Sequence, residues 1–123
     1  MHKYLIYCIC CLVVSGTISC AYNVEEDLYP PVVCDTLNVT YSGTILPIIQ
    51  HNCYECHSDA NVSISQIPLE GYAFISVKAH DGQLIQAIRH TGEVTPMPKD
   101  RPSLSECDIQ KIEKWVSDGS PDN

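Results

Sequence analysis

Five consecutive residues, Cys53-Tyr54-Glu55-Cys56-His57, gather the densest set of reactive side chains in this chain of 123 residues. Two thiols three positions apart can reach the two vinyl groups on one porphyrin edge, and the residue that follows then carries an imidazole under the iron. Cys-x-x-Cys-His is the spacing that fastens a haem covalently through two thioethers. The chemistry implied is attachment of one haem c, with Cys53 and Cys56 as anchors and His57 as an axial ligand. Tyr54 and Glu55 are read as spacers. Two other chemistries use similar residues. A structural zinc site takes two ligand pairs, and no second Cys-x-x-Cys or His-x-x-x-His follows this one. A thioredoxin-like dithiol follows a strand in a βαβ pattern, and the sequence shows none.

A second axial donor is sought on the other side of the iron. Met97 lies in the proline-rich run Thr95-Pro96-Met97-Pro98-Lys99 and is the one methionine besides Met1. A thioether is a soft, neutral donor that suits a low-spin electron-transfer haem and raises its potential. Flanking prolines restrict the backbone and lower the entropy cost of presenting the sulfur. The ordinary alternative is a loop methionine filling a gap. His51, His80 and His90 are rival donors, each read in the first instance as a surface histidine.

The elements that must position these groups read as short helices. Val39-Thr40-Tyr41 is expected to be extended, with Ser42 or Thr44 capping a helix that carries Ile45, Leu46, Ile48 and Ile49 to the cysteines. Pro47 fits only in its first turn. Residues 58–61 read as polar loop, and 62–69 as an extended apolar cover. Helices are expected over 71–79 and 83–90, broken at Asp81-Gly82. The clearest helix is the last. Ser105 and Asp108 form a capping box, Leu104 can staple onto Ile109, and Ile109, Ile112, Trp115 and Val116 make one apolar stripe that Gly119 ends. Trp115 is assigned to the core or to covering the haem.

Length predicts one domain, small for a core of its own, to which a bound haem would add a large apolar body. With 15 acidic against 7 basic residues the formal charge is −8, which excludes nucleic acid as a partner; such a surface, if it steers anything, steers basic proteins. Residues 1–20 have the pattern of an export signal: Lys3, then an apolar run from Tyr4 to Val14, then small residues up to Cys20. The run is short for a bilayer span. Thr17-Ile18-Ser19-Cys20 is similar to the bacterial lipobox, which implies lipidation of Cys20 and a membrane anchor there; ordinary cleavage and an uncleaved anchor are the alternatives. Residues 21–33, with Glu25-Glu26-Asp27 and Pro30-Pro31, read as an acidic tether. Its acidic cluster resembles those that direct some bacterial lipoproteins to the cell surface.

The eight cysteines fit one compartment. Cys8, Cys10 and Cys11 leave with the signal, Cys20 takes lipid, Cys53 and Cys56 take haem, and Cys34 and Cys107 remain. In an oxidising compartment such a pair is expected to form a disulfide.

From Cys34 onward the order of helix, Cys53-x-x-Cys56-His57, loop, short helices, Pro96-Met97-Pro98 loop and terminal helix with Trp115 resembles a small class I c-type cytochrome. The segments around Val39-Thr40-Tyr41 and Cys107-Asp108-Ile109, with Gly119-Ser120-Pro121, resemble monohaem domains of exported bacterial lipoproteins, a likeness that again couples Cys34 with Cys107. The resemblance implies an all-α fold of three to five short helices around one covalent haem over residues 34–123. It implies a single-electron carrier with His57 and Met97 as axial ligands, redox proteins as partners and no catalytic residues. It also implies that the first and last helices cross, with Gly43 or the Ile45 and Ile49 face against Ile112 and Trp115; the aromatic residue that the family usually carries on its first helix is absent here. A backbone carbonyl beside Pro68 is expected to orient the His57 imidazole. Lys99, Arg101 and Arg89 are the cations nearest to meeting propionates or a partner, with surface solvation as their ordinary role. The readings to be distinguished from a carrier are a haem enzyme or gas binder with an open distal position, and a zinc or dithiol module without haem.

Overall fold

The computed structural model describes residues 33–123; the signal-like stretch, Cys20 and nearly all of the tether lie outside the described residues. Every regular element among the described residues is helical. A π-helical turn at Tyr41–Ile45 runs directly into α1 (Leu46–His57), followed by α2 (Val62–Ser65), α3 (Tyr72–His80), α4 (Gln83–Arg89) and α5 (Glu106–Ser117).

The first helical segment begins earlier than expected. Thr40, not Ser42 or Thr44, is the cap: its backbone is extended and its hydroxyl accepts from the Gly43 N–H at 3.2 Å. Two more N–H groups of this first turn are satisfied from far away. Tyr41 N–H donates to the side-chain oxygen of Asn123 at 2.7 Å, and Ser42 N–H to the Asn123 carbonyl at 2.8 Å. Pro47, in the first turn of α1 as expected, has no N–H to offer the preceding turn. The chain widens just before it, where Leu46 N–H reaches back five residues to the Tyr41 carbonyl. Replacing Thr40 by alanine is expected to lower stability by about 1 kcal/mol, the ordinary value of an N-cap oxygen, measured as a shift in the urea midpoint.

Beginning at Tyr41 changes what crosses α5. Ile45 and Ile49 are buried with Ile112 and Trp115, as the apolar stripes required. An aromatic residue is nevertheless present on the first helical segment: the Tyr41 ring lies 5.9 Å from Trp115 and 5.2 Å edge-on to Tyr72. Trp115 is fully buried and its indole N–H donates to the Pro121 carbonyl at 2.9 Å, so it belongs to the core behind α1.

α5 has the ends its sequence announced. Ser105 Oγ accepts from the Asp108 N–H at 3.1 Å, Leu104 and Ile109 are both buried, and the helix closes at Gly119. There Gly119 N–H donates to Val116 and Ser120 N–H to Trp115, the paired bonds of a Schellman end, with Gly119 at φ 89°. Cys34 and Cys107 are joined as a disulfide, with Cα atoms 5.3 Å apart. In α3 Ile75 and Ala79 are buried, whereas Phe74 and Val77 are exposed.

Arg89, read as a solvated surface cation, is instead a clamp between α4 and α5. Its guanidinium binds Glu113 through two bonds of 2.7 Å and Glu106 through bonds of 2.8 and 3.0 Å. Hydrogen bonds from Arg89 hold both carboxyls below the usual carboxylate range. A depressed folded-state pKa contributes stability that is present above the unfolded carboxylate range and is lost as pH falls through the folded value. Arg89→Gln is therefore expected to lower stability at neutral and alkaline pH and to converge on wild type in acid, so that the acid limb flattens, as measured by thermal unfolding across pH.

Candidate functional site

The last turn of α1 carries the site. Cys53, Cys56 and His57 stand at i, i+3 and i+4, so one helix face presents all three. They line a cleft of about 470 Å³ whose other walls are Leu84, Ala87 and Ile88 of α4, Leu104, and Met97 and Pro98 from the loop between α4 and α5. Four residues singled out by type and spacing thus meet at one cavity.

Both cysteines are free thiols. Cys53 packs against the core, and burial pushes its thiol up to about 11, so it stays neutral at ordinary pH. His57 is only 8 % exposed. Its Nδ1 lies 2.7 Å from the carbonyl oxygen of Ile67, which can only accept, so Nδ1 carries the hydrogen and Nε2 is left as the free donor atom toward a ligand. Ile67 immediately precedes Pro68, the position expected to supply this carbonyl. A second bond, Leu69 N–H to the His57 carbonyl at 2.9 Å, fixes the same segment to the end of α1.

The stretch expected to be an extended cover is partly helical. Residues 62–65 form the single turn α2, and Gln66 turns out of it in the left-handed region at φ 59°. Ser65 Oγ then accepts from the Ile67 N–H and sets up the extended run that reaches His57. Ile64 and Ile67 line the cleft yet remain 67 % and 42 % exposed, so this cover is a rim rather than a lid.

Across from the cysteines, Met97 is half-buried, and its N–H donates to the Ala87 carbonyl at 2.9 Å. The rival histidines do not line the cleft: His51 is exposed, His80 bonds through Nδ1 to the Ser76 carbonyl, and His90 bonds through Nε2 to the Met97 carbonyl. Lys99 and Arg101 do line it. Arg101 pairs with Glu55 at 2.8 Å, tying the loop of Met97 to α1 between the two cysteines. Glu55 is therefore more than a spacer, and so is Tyr54, which packs on the core and accepts from the Gly71 N–H. Lys78, bonded to Gln83 at 2.8 Å, is a lining residue that no local pattern pointed to.

The residues present fit a covalently held haem by the chemistry of the set: two thiols on one helix face, an imidazole with its outer nitrogen free, and a thioether in the wall of the same apolar cleft. Among the described residues no three His, Cys, Asp or Glu side chains gather as a metal-binding group. No protein-family model, curated protein or solved structure matches the chain.

Proposed function

We propose that this protein is an exported c-type cytochrome, an electron carrier with one haem c, held at a membrane by lipid on Cys20. The observation that carries the reading is the meeting of Cys53, Cys56, His57 and Met97 at one cleft, with the His57 ring fixed by Ile67. When bound, the haem supplies a one-electron iron couple. The chain supplies the rest. Cys53 and Cys56 would hold the group through thioethers, and His57 through Nε2 and Met97 through its sulfur would be its iron ligands. The Ile67 carbonyl holds the imidazole in one tautomer and one orientation. Leu84, Ile88 and Leu104 exclude water from the interior of the cleft. With His57 and Met97 both engaged as ligands the iron would be left no open position, so the function is electron transfer to redox partner proteins and no catalytic residue is assigned.

Two features weigh against the alternatives. Reactive dithiols have depressed pKa values, whereas burial raises that of Cys53. A structural zinc site takes four ligands, and no group of three gathers among the described residues.

The test is Met97→Ala. Wild-type ferric protein is expected to show the weak far-red band that marks methionine sulfur on haem iron, and the variant to lose it, with a lower potential. Rapid carbon monoxide binding by reduced wild-type protein, with no far-red band, would instead favour the haem enzyme or gas binder with an open distal position.

A further inference from the structure

We propose that His90 is a positioning residue for Met97: by donating its Nε2–H to the Met97 carbonyl, it fixes the backbone that aims the methionine side chain into the cleft. The inference rests on the reading of Met97 as an axial ligand. Its basis is a pair of bonds from the same short stretch of chain. Met97 N–H donates to the Ala87 carbonyl at 2.9 Å, and the Met97 carbonyl lies 3.1 Å from His90 Nε2. Both backbone groups of Met97 are thus held by the last turn of α4, and α4 also supplies Ala87 and Ile88 to the cleft wall. The loop at residues 91–104 is otherwise largely exposed, with no regular element to fix the methionine.

The backbone of His90 gives an independent reason. His90 closes α4 in the left-handed region, at φ 55°. Side-chain-bearing residues are disfavoured there and glycine is not. Two other helix boundaries use glycine in this region, Gly82 after α3 at φ 76° and Gly119 after α5 at φ 89°. At position 90 an imidazole occupies that conformation, as the Gln66 side chain does after α2 at φ 59°, and its ring nitrogen reaches the residue assigned to iron. Because a carbonyl oxygen only accepts, the bond requires the hydrogen on Nε2, so this ring is engaged as a donor and is not the rival ligand.

The experiment uses the haem-bearing full chain and two readouts, hydrogen exchange of the Met97 amide and the far-red band of the ferric protein. His90→Gly removes the donor while relaxing the left-handed backbone, and His90→Asn tolerates that backbone but is too short to reach. His90→Gln restores an N–H donor at similar reach. Met97 amide exchange is expected to quicken roughly five- to tenfold in the glycine and asparagine variants, the effect of one hydrogen bond of ordinary net strength. The far-red band should weaken in both, and glutamine should return both readouts toward wild type. Unchanged exchange in His90→Gly, or a glutamine variant indistinguishable from glycine, overturns the proposal. So does quickened exchange with an unaltered band. A wild-type protein that lacks the band fails the Met97 reading itself, and the proposal falls with it even where the exchange rates still show His90 holding the loop.

Discussion

Replacing Cys53 and Cys56 together by alanine is expected to remove all peroxidase-active stain from the protein's band on a denaturing gel, where the wild-type chain keeps it. The reason is covalent. A haem held only by His57 and Met97 is lost when heat and detergent unfold the chain, whereas thioethers survive unfolding. Each single replacement leaves one possible thioether and is expected to retain a reduced stain, so the series separates attachment from ligation. The double variant also removes the tie between the group and the last turn of α1, and in a small domain the apolar body of a haem is a considerable share of the interior. Loss of helical signal in far-ultraviolet circular dichroism is expected to accompany loss of stain. Stain that persists in the double variant would defeat the haem c assignment outright.

Opening the Cys34–Cys107 disulfide is expected to cost about 4 kcal/mol, the chain-entropy value for a bridge of this span. The bridge joins residues 73 positions apart. Against a total of roughly 5–15 kcal/mol for an ordinary domain, that is a large fraction of the stability. Urea unfolding of the paired serine variant should show a lower midpoint. Its dependence on urea should also steepen, because an uncrosslinked unfolded chain exposes more surface. A midpoint unchanged from wild type would mean that the bridge leaves the unfolded ensemble as it was.

Local patterns made some parts of this molecule legible. The capping serine at 105, the stripe through Ile109, Ile112 and Trp115, and the glycine stop at 119 are interactions between near neighbours, and α5 follows them within a residue or two. α3 and α4 are bounded in the same way, by the turn at Asp81-Gly82. Residue type and spacing were enough to nominate the four groups that line the cleft, because thiol, imidazole and thioether chemistry restricts which side chains serve. The disulfide followed from counting cysteines. What escaped depends on partners distant along the chain. The start of the first helical segment rests on Asn123 as well as on the Thr40 cap; the bonds of Asn123 to Tyr41 and Ser42 leave no trace near residue 41, and with that start misplaced the aromatic contact on Trp115 went unseen. Arg89 has acidic partners 17 and 24 residues away, so its sequence neighbourhood looks like open surface. α2 is a single turn, too short for any periodicity to declare it.

The sulfur bridge also settles how mechanical load would travel. Tension arriving along the chain at Val33 and balanced at Asn123 crosses from Cys34 to Cys107 through covalent bonds and continues down α5. Residues 35–106 form a covalently bypassed arc, which shares that load only through non-covalent contacts such as the bonds of Tyr41 and Ser42 to Asn123. Cys53, Cys56, His57 and Met97 all lie on this arc, as does His90, so a pull on the domain strains the bonds of Asn123, then α5 and its Schellman end, before it disturbs the cleft.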